Sequence, residues 1–223
     1  MKPHVSVVIP TLNEGDNIVE LLEGISEQLN EYTHEIIIVD GGSSDDTVAK
    51  AREFGARILY NYEGKGSSLK KGLTAARGSV LISMDADLSH RPVELRLLID
   101  GIEIGYDICM GSRFIAGGGT DDMSPLRRLG NKFFVFLVNV MFGSNYSDLC
   151  YGYRSFRKSA FGKLHLNEAG FGIETEISIN AIKENLRVIE VPSKEKKRNS
   201  GTGKLRTFSD GYAILRTIFK NFP

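Results

Sequence analysis

The stretch LISMDADLSHRP (Leu81–Pro92) sets two carboxylates, Asp85 and Asp87, one residue apart at the end of an apolar run. The run reads as a buried strand whose carboxyl end opens into a polar loop. Two like charges that close disfavour each other's ionised forms. Either a positive group accompanies them, or the pair is solvated away from the core.

The same grammar recurs on both sides. His4–Pro10 (HVSVVIP) and His34–Asp40 (HEIIIVD) are further apolar runs rich in β-branched residues. Shorter runs lie at Arg57–Tyr60, Ser79–Asp85 and Tyr106–Gly111. Helical patterns separate them. One has Ile18, Leu21, Leu22 and Ile25 on a common face behind Asp16 or Asn17 as cap; others run from Asp45 or Asp46 through Phe54, over Ser67–Ala76, and from Pro92. Continuous apolar strands alternating with helices predict an α/β fold with a mostly parallel sheet covered on both faces. Ligands of such sheets bind beyond the carboxyl ends of the strands. Those ends read PTLNE, DGGSSDDT and DADLSH, so Asp40, Asp85 and Asp87 are expected on one rim.

The second half is less regular. Gly111–Arg128 is a long Gly-rich loop, followed by a helix over Arg127–Met141, a strand over Tyr151–Arg157, a helix over Gly172–Asn185 and a strand over Arg187–Pro192. The longest apolar run, Phe133–Phe142, is about half of what a membrane-spanning helix needs. It is expected to be a buried helix, with an interfacial role as the alternative. In the tail, Phe208, Tyr212, Leu215, Phe219 and Phe222 form one helical stripe, with Arg216 and Lys220 off it. Docking on the core is the first expectation for this stripe, and lying on a membrane surface the second. No internal repeat or low-complexity linker divides the chain, so residues 1–223 are expected to form one domain.

Composition narrows the classes. With 28 basic and 28 acidic residues, no global field recruits nucleic acid. Two cysteines, Cys109 and Cys150, make no disulfide framework, and with no secretory signal a reducing cytoplasm is expected. No G-x-G-x-x-G follows the first strand, which argues against a dinucleotide site. PTLNEGDN has one glycine and no cation, which argues against a nucleotidyltransferase loop. A D-x-D pair at a strand end suits Mg²⁺ or Mn²⁺, hard ions that take one or two carboxylates together with substrate phosphates.

Taken in order, VVIPTLNEGDNI, IIIVDGGSSDDT, MDADLSH, GSRF and RNSGTGKLR resemble the family 2 inverting glycosyltransferases of GT-A fold. Within that family the set is most similar to the dolichol-phosphate mannose synthases and related polyprenyl-phosphate glycosyltransferases, over about Val5 to Phe219. The resemblance implies that residues 1–111 bind the nucleotide sugar and that 112–223, with the C-terminal amphipathic helix, form the acceptor side. It implies that Pro10, Leu12 and Glu14 cradle the nucleoside and that Asp40 contacts base or ribose. Asp85 and Ala86 would lie along the nucleotide, and Asp87 would be the principal ligand of a Mg²⁺ or Mn²⁺ ion bound at Asp85, Asp87 and Ser89. Arg113, Arg198 and Lys204 would bind phosphates, with Arg128 and Arg198 on the acceptor phosphate, and Asp87, Arg113 and Arg198 would be the catalytic set. Gly41 and Ser89 depart from the family pattern, which often has a second acid and a glutamine there.

The acceptor follows from chemistry. A sugar hydroxyl needs a general base, for which Asp148 and Glu176 are the candidates. A phosphate monoester is already ionised and needs cations that position it. Between Lys194 and Arg206 six basic residues stand against one acid, and the absence of tryptophan excludes the Q-x-x-R-W signature of processive synthases. The expected activity is therefore hexose transfer from GDP-mannose or UDP-glucose to a polyprenyl or dolichyl phosphate, with inversion, by a peripheral protein at the cytoplasmic face of the membrane. A family 2 enzyme acting on a saccharide hydroxyl is the alternative. A membrane-protein partner or a homo-oligomer is compatible with either.

Overall fold

The computed structural model describes residues 3–197 and 207–222. In chain order these form β1 (Val5–Thr11), α1 (Ile18–Gln28), β2 (His34–Asp40), α2 (Thr47–Glu53), β3 (Arg57–Tyr60), α3 (Lys65–Ala75) and β4 (Val80–Ser83). A 3₁₀ turn at Pro92–Glu94 leads into α4 (Leu95–Glu103) and β5 (Ile108–Ser112). Then come β6 (Gly119–Thr120), α5 (Pro125–Phe142), β7 (Arg154–Arg157), α6 (Lys158–Phe161), α7 (Ile173–Lys183), β8 (Val188–Pro192), β9 (Lys194–Glu195) and α8 (Thr207–Lys220).

Seven strands make one sheet in the order β3-β2-β1-β4-β7-β5-β8, and β6 pairs with β9 beside it. Every pairing in the large sheet is parallel except those of β7, which runs antiparallel between β4 and β5. The expected mostly parallel α/β sheet is what the chain builds, and strands from both halves share it. Alternation along β1 divides the core. Val5, Val7 and Ile9 face the side covered by α1 and α4, whereas Val8 faces α3 and the layer that includes α7. After β3 the chain returns to the other flank of β1, so the order reverses between β1 and β4. A crevice opens at such a switch point, at the carboxyl ends of the strands.

Two expectations about apolar segments are corrected here. Phe133–Phe142 is not a buried helix. Helix α5 starts at Ser124, whose side chain accepts the Arg127 N–H, and at Pro125, and it stops at the left-handed Gly143. Only Asn131 and Val138 on it are fully buried. Leu126, Leu129, Phe133, Phe136 and Val140 form a lengthwise stripe turned to solvent, with Leu129 and Val140 each 66% exposed. In α8 the docking face is also not the stripe expected. Ile214, Thr217 and Ile218 are buried, whereas Tyr212, Phe219 and Phe222 are 70%, 58% and 50% exposed. Helices α5 and α8 pack side by side, with Phe142 and Phe222 edge to face at 5.9 Å. Both helices thus turn large apolar side chains to solvent. No described helix is long and apolar enough to cross a membrane.

Candidate active site

A cavity of about 450 Å³ occupies the switch-point crevice. Pro10, Leu12 and Glu14 line one end, Asp85, Ala86 and Asp87 the middle, and Arg113, Arg127 and Glu195 the far end. Strand register makes this convergence. Thr11 pairs with Asp40, and Val8 with Ser83, so the three acidic strand ends finish at one level.

The first two loops are tied together. Asn13, in the left-handed region at φ 53°, accepts the Ser44 N–H at 2.8 Å and donates its own N–H to Ser43 Oγ at 2.9 Å. The Glu14 N–H donates to Thr47 Oγ1 at 2.8 Å. Asp40 is buried and turned into its own loop, where it accepts the Gly42 and Ser43 N–H groups at 2.9 and 3.0 Å. Gly41, its neighbour, lines the cavity. The Asp40 carboxylate therefore shapes the cavity wall at the Pro10–Glu14 end through its own loop.

The D-x-D loop is held by its own turn. Leu88 takes φ 62°, a left-handed conformation that costs a leucine about 1–3 kcal/mol. That turn brings the Ser89 N–H and hydroxyl onto Asp87 Oδ1 at 3.1 and 2.6 Å. Ser89 thus orients Asp87. The Asp85 N–H donates to His90 Nδ1 at 2.9 Å, and the His90 ring stacks on Tyr153 at 4.8 Å and meets the edge of Tyr151 at 4.7 Å. Burial lowers the His90 pKa, against the pull of Asp85 and Asp87. The ring is neutral at pH 7, and its accepting Nδ1 puts the proton on Nε2.

The positive group that the D-x-D pair called for is Lys65, the first residue of α3. Its Nζ lies 2.8 and 3.1 Å from the two Asp85 oxygens and 3.1 Å from Glu174 Oε1. Burial opposes its charge, but the fields of Asp85 and Glu174 outweigh burial and hold the ammonium above the usual lysine range. Among the described residues no three His, Cys, Asp or Glu side chains group to hold a metal. The donor set here is two oxygen-bearing acids, which fits a hard divalent ion whose remaining ligands come from a diphosphate.

At the far end, Arg113 is committed to carboxylates. Its Nε and Nη2 meet Asp148 Oδ2 and Oδ1 at 2.7 and 2.9 Å, and its Nη1 meets Glu195 at 3.0 Å. Burial opposes its charge, and Asp148 and Glu195 more than restore it. Thr120 donates to the other Glu195 oxygen, which fixes the β6–β9 pair to this network. Of the adjacent arginines, Arg127 lines the cavity, whereas Arg128 lies over the Phe114 ring at 5.8 Å. The cavity-side cation is thus one residue before the one expected. Arg198 and Lys204 lie outside the described residues.

Neither candidate base is poised to act as one. Asp148 is fully buried under Arg113, and Glu176 accepts the Asn167 and Glu168 N–H groups, both at 2.8 Å. Sequence reasoning missed Lys65, Glu174, His90 and Tyr151. The glycine-flanked lysine at Gly64–Gly66 was the available signal.

Residues 6–164 match the model of the family described as Glycosyl transferase family 2. The chain is 34% identical to a dolichol-phosphate mannosyltransferase of Pyrococcus furiosus, covering 97% of this chain and 63% of that protein, so it spans less than two thirds of that relative. It is 33% identical to a polyprenol monophosphomannose synthase of Mycolicibacterium smegmatis, covering 96% of this chain and 84% of the relative. Among solved structures, glucosyl-3-phosphoglycerate synthase of Mycobacterium tuberculosis, crystallised with Mn²⁺, UDP and glucosyl-3-phosphoglycerate, superposes with a TM-score of 0.78. That likeness covers 99% of this chain and 80% of the other at 20% identity, and it speaks to the fold. With a mostly parallel sheet, a D-x-D loop at its switch point and these relatives, the chain belongs to glycosyl transferase family 2 and is a glycosyltransferase of GT-A fold.

Proposed function

We propose that the protein transfers a hexose from a nucleotide sugar, GDP-mannose or UDP-glucose, to a polyprenyl or dolichyl phosphate, with inversion and with Mg²⁺ or Mn²⁺. The observation that carries this reading is a shared border. Arg127 of α5 and Ile214 of α8 line the same cavity as Asp85 and Asp87. The outward faces of those two helices carry Leu129, Phe133, Phe136, Val140, Tyr212 and Phe219 exposed, with Arg128, Lys132, Arg216 and Lys220 exposed around them. An apolar face edged with cations suits the surface of an anionic membrane. A protein seated there by α5 and α8 meets the headgroup of a membrane-borne lipid phosphate at its cavity mouth. Peripheral attachment at the cytoplasmic face follows from this reading, as does a homologous role to the polyprenyl-phosphate relatives.

The chemistry agrees. An ionised phosphate has no proton to surrender, and the acids Asp148 and Glu176 are spent on Arg113 and on backbone amides. Arg127 would hold the acceptor phosphate, together with Arg198, opposite the departing diphosphate. Attack from that side inverts the anomeric carbon. Asp85 and Asp87, oriented by Lys65 and Ser89, would hold the ion. Bound there, the ion supplies positive charge to the leaving diphosphate. Pro10, Leu12 and Glu14 would receive the nucleoside, and Lys204 a donor phosphate.

The test is a panel of GDP-mannose and UDP-glucose against a short polyprenyl phosphate and a saccharide, with Mn²⁺ or Mg²⁺, following nucleotide release and the product anomer. A glycosyl phosphate of inverted configuration is expected. Transfer to the saccharide alone would overturn the acceptor assignment.

A further inference from the structure

Lys65 is the first residue of α3, between Gly64 and Gly66, and both glycines are demanded by close approach. Gly64 has φ +113°, and a side chain there would come within 2.7 Å of the Ala169 carbonyl oxygen. A Cβ on Gly66 would lie 2.5 Å from the Glu168 carbonyl oxygen and 2.7 Å from that of Gly170. The start of α3 is pressed onto the 168–170 loop, and this carries Lys65 inward to the cavity. From the other side, a Cβ at Gly152 would sit 3.3 Å from Glu174 Oε1, 3.5 Å from Lys65 Nζ and 3.6 Å from Asp85 Oδ2. Three glycines thus make room for a half-buried Asp85–Lys65–Glu174 triad, of which Glu174 is the buried member. Such triads are poor stabilisers, because desolvating three charges offsets most of their attraction. Their concentration in a ligand cavity points to function.

We propose that Lys65 is the resident counter-cation of the donor cavity, a positioning residue that occupies Asp85 and Glu174 so that a divalent ion enters only together with a diphosphate. The inference rests on the donor and metal reading given above. Without Lys65, Asp85 and Glu174 would lose the cation they share, with Asp87 on the adjoining turn and the neutral His90 beside them, while Arg113 stays committed to Asp148 and Glu195 and Arg127 lies on the α5 side of the cavity. That arrangement would attract a bare divalent ion. With Lys65 in place, the excess negative charge at the triad is one unit, and a diphosphate must supply the rest of the ligand field. The ammonium also faces the Phe171 ring at 5.8 Å, an apolar side that leaves its hydrogen bonds directed at the two acids.

Binding measured without turnover tests this. Mn²⁺ affinity would be followed by electron paramagnetic resonance, alone and with UDP or GDP, for the wild type, Lys65→Met and Lys65→Arg. Wild type is expected to bind Mn²⁺ weakly alone and at least about tenfold more tightly with nucleotide, a coupling that is reciprocal. Lys65→Met is expected to bind Mn²⁺ alone at least about tenfold more tightly than wild type, because a neighbouring positive charge is gone. Lys65→Arg keeps that charge and should behave like wild type towards the bare ion. Lys65→Met should also gain thermal stability on adding Mn²⁺ where wild type does not. If it is unfolded without metal, Mn²⁺ should restore the fold. A folded Lys65→Met with wild-type Mn²⁺ affinity, or an unfolded one that Mn²⁺ does not rescue, would overturn the proposal. So would a Lys65→Arg variant that gains bare-ion affinity. Failure of wild type to bind either nucleotide with Mn²⁺ would count against the donor reading, while the Lys65 variants would still be judged on the bare ion.

Discussion

Arg113 and Asp148 meet fork to fork, with Nε 2.7 Å from Oδ2 and Nη2 2.9 Å from Oδ1, and the Asp148 side chain is entirely buried. The Arg113 backbone N–H also donates to Asp148. A residue that reads in the sequence as a possible general base is therefore a strut that fixes the GSRF turn to the 147–150 loop.

Asp148→Asn should accordingly act on stability. Unpairing a buried guanidinium costs about 3–5 kcal/mol, and the remaining contact with Glu195 puts the expectation at the lower end. Urea unfolding would measure it, and the folded fraction should retain transfer with an unchanged pH profile. A variant that unfolds like wild type yet is inactive at every pH would make Asp148 a base after all.

Asp87 and Asp40 should separate by readout. Asp87 lies on the cavity, held by Ser89. Asp87→Ala should lower turnover by about two orders of magnitude through lost leaving-group stabilisation, with little change in melting temperature. Asp40→Ala removes the buried carboxylate that accepts the Gly42 and Ser43 N–H groups, so it should cost about 1–3 kcal/mol of stability, as for hydrogen bonds to a charged group. Its loss of donor affinity would follow from the loosened 41–43 loop. Full activity of Asp87→Ala in chelator would remove the metal from the site.

The surface of α5 and α8 gives a third contrast. Phe133→Ser with Phe136→Ser, or Phe219→Ser alone, alters side chains that are half exposed or more. Each is expected to reduce co-sedimentation with anionic liposomes while leaving the melting temperature near that of wild type. Ile218→Ser, on the buried face of the same helix, should instead destabilise by about 2–5 kcal/mol. Unfolding of the Phe variants would mean that the stripe is packed, and undiminished sedimentation would mean that the membrane is met elsewhere.

These contrasts show what a linear chain discloses. β2 begins and ends where its apolar run does, at His34–Asp40, because a strand buried on both faces has an unbroken signature, and β3 at the sheet edge keeps the expected bounds Arg57–Tyr60 although it is only partly buried. The rim of Asp40, Asp85 and Asp87 was legible for the same reason, since parallel strands align their ends. Helical stripes were less so. Phe133–Phe142 is apolar on several faces, and hydrophobicity alone does not say which face meets the protein and which meets something else. In α8 the stripe with aromatic residues looked like the core contact, but the smaller Ile214, Thr217 and Ile218 fit against the neighbouring helices. Lys65 escaped because its partners, Asp85 and Glu174, are distant in sequence, and nothing local to a G-K-G segment names them.

The two cysteines carry the pH prediction. Cys109 is buried on β5, and Cys150 lies at the cavity. Burial pushes both thiols up to about 12, helped at Cys150 by the charge of Asp148 and opposed there by Arg113. In the unfolded chain they would ionise near 9.0. Between those values the folded protein keeps protons that the unfolded chain has released, so stability should fall as pH rises across that window. The slope from the thiols fades below pH 9 and is gone by about pH 7, where both states keep their protons. The buried tyrosines Tyr151 and Tyr153, also raised by burial, add a loss of the same sign from pH 10 upward. Cys150→Ser should flatten the decline between pH 9 and 10 without changing stability at pH 7 by more than about 1 kcal/mol. A thiol reagent should label neither cysteine of the folded protein at pH 8, because the thiolate is the reactive form, and should label both in urea. Rapid labelling of Cys150 in the native state would mean that its thiol is open and its ionisation ordinary, and the alkaline loss would then have to come from Cys109 and the tyrosines.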